Sequence, residues 1–298
     1  MTITEARDAL EALRPLENVR VTSLALNLPG PVAAARLVRL GARVIQIVPP
    51  AGDPMESYNP DFYRLLHADQ EIIGLDLKNP GDREKFEAIL ATTDVLLTAF
   101  RPAALERLSL GWMELHARHP RLCQVALVGD AAGAENVPGH DLTYQAACGL
   151  LSPPAMPLTL YTDMASAERM VSTTLALLLA RARSQQGGYA QVVMTAVTED
   201  FALPLYRGMT APGGFLGGGS PFYNLYRARD GWVAVAALEP HFQKRLLAEL
   251  HLESAVYEKF SSIFAERAAA EWHRWAAERD LPLVAVRTLP HVTPAAGE

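Results

Sequence analysis

The sequence predicts an α/β protein built on a parallel, doubly wound sheet, and three features carry that expectation. Apolar runs of strand length recur through the first half, at residues 19–26, 43–48, 72–77, 94–100 and 122–128. Stretches with helical apolar spacing stand between several of them. A glycine- and proline-dense tract at 211–221 then breaks the chain, and the pattern beyond it changes to a hairpin and two helices. Buried strands alternating with helices of ten or more residues form parallel sheets, because each crossover must bring the chain back to the same edge.

Taken in order, strand 19–26 leads through Asn27-Leu28-Pro29-Gly30-Pro31 into a helix over 32–40, closed by Gly41. Strand 43–48 is halted by Pro49-Pro50. Strand 72–77 precedes Asn79-Pro80, a helix start, and that helix runs to about residue 91. Beyond strands 94–100 and 122–128, a second region begins after Pro138. Residues 142–151 and 165–185 have helical spacing, and Gly187-Gly188 stops the latter before a strand at 190–195. The tract at 211–221 is the candidate domain junction and mobile loop. Residues 223–227 and 232–237, joined by Asp230-Gly231, read as a hairpin. Helices follow at 239–250 and 261–279, the second carrying Trp272 and Trp275. The organisation expected is a large domain at 1–210, a linker at 211–221 and a small domain at 222–298.

Half of the 298 residues are hydrophobic and a fifth charged, the composition of a soluble globular protein. With 27 basic and 33 acidic side chains the net charge is −6, which lacks the basic excess that nucleic-acid binding requires. Cys123 and Cys148 lie in apolar stretches with no partner at zinc spacing, so neither a metal site nor a disulfide framework is expected. Residues 1–13 lack the apolar core of a signal peptide, and the run at 175–180 is far below the ~20 residues of a membrane span. A cytoplasmic protein with no membrane partner is the expectation. No G-x-G-x-x-G, Walker loop or G-x-S-x-G is present, and the triplet Gly217, Gly218, Gly219 lacks the Lys-Ser/Thr of a phosphate loop.

A set of motifs in fixed order takes the reading further. Pro15-Leu16-Glu17-Asn18-Val19-Arg20-Val21, Pro29-Gly30-Pro31 and Leu40-Gly41-Ala42-Arg43-Val44-Ile45 are followed by Leu75-Asp76-Leu77-Lys78 and Asp94-Val95-Leu96-Leu97. Phe100-Arg101-Pro102 with Leu105-Glu106-Arg107-Leu108, then Pro138-Gly139-His140-Asp141 and Tyr161-Thr162-Asp163, come next. The densest block joins Leu216 to Arg227 through the glycine triplet, with Asp230-Gly231 and Leu238-Glu239-Pro240-His241-Phe242 after it. This series resembles the family III CoA-transferases (CaiB/BaiF), in particular their α-methylacyl-CoA racemase branch. The resemblance implies a Rossmann-like large domain, a smaller α+β domain and an interlocked homodimer. It implies a coenzyme A thioester as substrate and no permanently bound cofactor.

Asp163 stands at the start of a helix, where a carboxylate can cap orphan N–H groups. The resemblance matches it to the family's catalytic aspartate, and the helix N-terminus would keep it ionised. His140 matches a racemase pattern, transferases commonly having an aromatic residue there; Asp141 is then expected to cap the following helix. Glu239, at a Glu-Pro helix start favoured by the helix dipole, matches a racemase glutamate that pairs with the histidine. Inversion of an α-carbon needs a base on each face, and Asp163 opposite His140 with Glu239 would supply both. For the coenzyme, the resemblance points to Leu75, Lys78, Phe100, Arg101 and Arg107. Basic residues of the family are replaced here by Val48-Pro49-Pro50, and an asparagine by Ala99. The expected function is 2-methylacyl-CoA racemisation. A CoA-transferase working through an Asp163 acyl anhydride and a catalytically silent acyl-CoA-binding dimer are the alternatives.

Overall fold

The computed structural model describes residues 12–130, 134 and 137–288. Expectations that rest on 1–11, and on the last ten residues of the small domain, lie outside them. The chain divides into two compact units, the first ending at Ala202 and the second beginning at Leu203. That division falls inside a helix, upstream of the glycine-dense tract where the sequence places the junction.

The first unit is a six-stranded sheet, all parallel, in the order β3-β2-β1-β4-β5-β6. The strands are β1 (Arg20–Ser23), β2 (Arg43–Val48), β3 (Glu71–Gly74), β4 (Val95–Thr98), β5 (Cys123–Val128) and β6 (Tyr189–Val193). The helices between them are α1 (Pro29–Arg39), α2 (Pro54–Tyr58), α3 (Pro60–Leu66), α4 (Pro80–Leu90), α5 (Pro102–Arg107), α6 (Trp112–Arg118), α7 (Asp141–Ala147) and α8 (Tyr161–Ser184). Every residue of β4 and β5 is buried, as parallel strands covered on both faces require. Alternation sorts their side chains: Val95, Leu97, Val125 and Leu127 enter one core with Leu37 and Met170. Leu96 enters the other with Phe86, Leu90, Leu105 and Leu115.

Strand order reverses between β1 and β4. Open sheets bind ligands in the crevice beyond the carboxyl ends of the strands at such a point. The loops that follow β1, β4 and β5 meet there, and so the sequence positions after each strand become neighbours.

The helix α9 (Met194–Tyr206) carries the chain out of the first unit. In the second, the 211–221 tract is wound on itself, with a wide helical turn at Phe215–Gly219. A Cβ on Gly217 would lie 1.9 Å from the Ala211 carbonyl oxygen, so the close winding needs glycine there. Strands β7 (Tyr223–Arg227), β8 (Trp232–Ala236) and β9 (Leu283–Ala285) form an antiparallel sheet in that order. The expected hairpin through Asp230-Gly231 is present, with Arg227 opposite Trp232. Helices α10 (Pro240–Glu249), α11 (Tyr257–Phe264) and α12 (Ala269–Ala277) share one core with the sheet, through Tyr226, Val235, Phe260, Phe264 and Trp272. The single helix expected over 261–279 is two: the indole N–H of Trp272 donates to the Phe264 carbonyl at 2.8 Å and folds the second against the end of the first.

Candidate active site

A pocket of about 250 Å³ lies at the switch point of the large sheet. Its walls come from the loop after β1 (Leu26, Asn27, Pro29), the loop after β4 (Ala99, Phe100, Arg101) and the end of β5 (Val128, Gly129). Further walls come from the Pro138–His140 segment with Tyr144, and from Asp163 in α8. His140 and Asp163, separated by 22 intervening positions, thus face one cavity. His140 is exposed at its rim in extended conformation immediately before α7, and Thr143 Oγ1 accepts from its backbone N–H at 3.0 Å.

Asp163 is the third residue of α8 and does not cap it; the capping position belongs to Leu160. The connection between α7 and α8 runs through Asp141 instead. Its Oδ1 accepts from the Asp163 backbone N–H at 3.1 Å, and its Oδ2 accepts from Gln145 Nε2 at 2.6 Å. Asp141 is therefore not the expected helix cap, since His140 occupies that position. It is a buried carboxylate held against the first turn of its neighbour.

Burial, with the Asp141 charge second, pushes the Asp163 carboxyl up to about 7. The ionised state expected from the helix N-terminus alone is thus outweighed by desolvation and a like charge. A group poised there can both accept and release a proton near neutrality.

The coenzyme candidates lie on the same unit. Leu75 and Lys78 line a second pocket of about 150 Å³ with Leu24, Ile47, Pro49 and Phe100. A third, wider hollow of about 730 Å³ is edged by Lys78, Arg83, Arg107 and Arg118. Glu87 holds Arg83 at 2.8 Å and Arg118 at 3.4 Å, whereas Lys78 and Arg107 have no ion-pair partner among the described residues. Phe100 belongs to the first two pockets and Lys78 to the last two, while Arg101 and Asp163 both line the first. Neighbouring hollows thus share wall residues, Phe100 between the first and second and Lys78 between the second and third.

Glu239 is part of the second unit. It occupies the position before α10 in extended conformation, exposed, and its side chain does not cap the helix. Among the described residues no group of three or more His, Cys, Asp or Glu could hold a metal ion, and no helix is long and apolar enough to cross a membrane. The sequence reading missed Tyr144 and the bonding of Asp141. For Asp141 the signal was present as spacing, since Asp141 to Gln145 is a four-residue step along one helix.

The model of CoA-transferase family III matches residues 16–296. The chain is 32% identical over 288 residues to the alpha-methylacyl-CoA racemase of Homo sapiens, covering 86% of this chain and 74% of that one. It is 27% identical over 255 residues to the acetyl-CoA:oxalate CoA-transferase of Acetobacter aceti, covering 78% and 66%. The crystal structure of a hypothetical protein from Mycobacterium tuberculosis shares the fold, with a TM-score of 0.80 at 23% identity over 92% of this chain and 86% of that one.

Proposed function

The chain belongs to CoA-transferase family III, whose members here include racemases and CoA-transferases, and from that premise we propose that it racemises 2-methylacyl-CoA thioesters. The observation that supports this most is the pairing in one pocket of His140 with a carboxyl group, Asp163, whose proton affinity is matched to neutral pH. A thioester carbonyl acidifies the α C–H bond. Asp163 takes the proton from one face, and His140 supplies one to the other; the reverse enantiomer exchanges the two roles. A single base would return the proton to the side it left, so both are required. Glu239 is proposed as the carboxylate of the second unit that sustains the histidine's part.

In the same proposal the coenzyme lies along these neighbouring hollows. Its phosphates meet Lys78 and Arg107, the slot beside Leu75 and Phe100 takes its apolar and aromatic parts, and the thioester passes Arg101. Lys78 and Arg107 support this because both edge the same hollow and neither has an ion-pair partner among the described residues. The working protein is proposed to be a cytoplasmic homodimer.

The transferase reading uses Asp163 as a nucleophile on the acyl carbonyl, and the relatedness to an oxalate CoA-transferase favours it. His140 in the same pocket favours proton transfer, because inversion needs a second proton carrier and acyl transfer through Asp163 does not. Incubation of 2-methylacyl-CoA in heavy water, with and without oxalate or succinate, separates the two. Deuterium at the α-carbon without CoA transfer is the expected result; transfer without deuterium uptake would refute racemisation.

A further inference from the structure

We infer that Tyr144 is a third catalytic residue of this pocket, its phenolic O–H donating to the thioester oxygen as the enolate forms. The inference rests on the racemase reading of the same site. Tyr144 lies in the first turns of α7, just after the extended His140, and the two line the same cavity with Asp163. Its ring is buried, at 8% exposure. The phenolic oxygen is seated over two glycines: a Cβ on Gly129 would lie 2.3 Å from it, and a Cβ on Gly139 2.5 Å. No side chain at either position is compatible with the hydroxyl where it stands. Glycine at the end of β5 and glycine before His140 therefore make one device, a space shaped for a phenol.

Tyr144 is one of the residues that line the cavity, so a bound thioester there is within the reach of its side chain. Burial first, then the Asp130 and Asp163 carboxylates, raises its proton affinity above that of an ordinary tyrosine, so it remains a donor across the working range. Neither Asp163 nor Asp141 can donate once ionised. Arg101, which also lines the pocket, is exposed.

When the base removes the α-proton, the C–H electron pair becomes a carbon–carbon double bond and the carbonyl π pair moves to oxygen. The enolate oxygen gains the charge, and the Tyr144 O–H bonds to it without losing its own proton. On return the pair goes back to carbon, which takes a proton from the acid on the opposite face. One proton is taken and one given, and the tyrosine is unchanged.

Two measurements on the full chain test this. The first is α-deuterium uptake by 2-methylacyl-CoA with wild type and Tyr144→Phe. The expected result is a fall in kcat of about 100-fold, the usual loss for one oxyanion donor, with little change in KM. The second uses cinnamoyl-CoA, a conjugated thioester that undergoes no α-exchange. Donation to its carbonyl shifts its ultraviolet absorbance to the red on binding, and Tyr144→Phe should abolish the shift. A variant that exchanges at the wild-type rate, or keeps the shift, overturns the inference, as does a wild type that binds cinnamoyl-CoA without any shift. A wild type that shows the tyrosine-dependent shift but no exchange sinks the racemase reading and leaves Tyr144 as the carbonyl donor. If Tyr144→Phe does not fold, 3,5-difluorotyrosine at 144 replaces it: a stronger donor must enlarge the shift, and an unchanged shift overturns the inference.

Discussion

At the scale of single residues the pocket is a place where stability is given up for chemistry. Asp163 has a folded-state pKa of about 7 against 3.8 for an ordinary aspartate, so the folded protein holds this proton more tightly than the unfolded chain. Its contribution is most favourable below about pH 4 and is lost as pH rises toward 7. Asp163→Asn, which never ionises, escapes that loss. We expect the variant to gain on the order of 1–2 kcal/mol over wild type between pH 4.5 and pH 8, after discounting for its partly exposed position. Urea unfolding at the two pH values checks this; a difference that does not change with pH would mean the carboxyl is not perturbed. Activity should fall by several orders of magnitude in the same variant. The order of motifs along the chain makes Asp163 and His140 legible as candidates. The source of the perturbation is not legible there, because Asp141 reaches Asp163 only through the crossing of two helices.

The elements were legible in proportion to how much of their burial the local pattern encodes. Runs buried on both faces, β4 and β5, stand out as continuous apolar stretches, and the hairpin is marked by Asp230-Gly231 within its four-residue connection between Arg227 and Trp232. The short helices α2 and α3 were missed, although Asp53 accepts from the Met55 N–H at 2.9 Å and Asn59 from the Phe62 N–H at 3.0 Å. Each has a capping side chain and a proline at its first position, but five and seven residues are too few for an apolar period to appear. The tract at 211–221 reads as flexible by composition. Its glycines serve close approach instead: Gly214, Gly217 and Gly219 would each bring a Cβ within 2.2 Å of a backbone oxygen.

At the scale of the whole molecule, the doubly wound sheet turns sequence order into a site. Residues at 26–29, 99–101, 128–129, 138–144 and 163 become neighbours because they follow strands that end at one crevice. The proposed homodimer predicts a solution mass of twice the chain by light scattering; a single-chain mass at micromolar concentration would remove it. The central claim is that Asp163 and His140 act on opposite faces of one carbon. It is tested most directly by deuterium uptake from separate (R) and (S) 2-methylacyl-CoA with Asp163→Asn and His140→Ala, neither variant being able to invert the centre. Each should still exchange the α-proton of one enantiomer and fail with the other, and the enantiomer retained should differ between the two variants. Loss of exchange from both enantiomers in either variant, or the same enantiomer surviving in both, would contradict the two-base account.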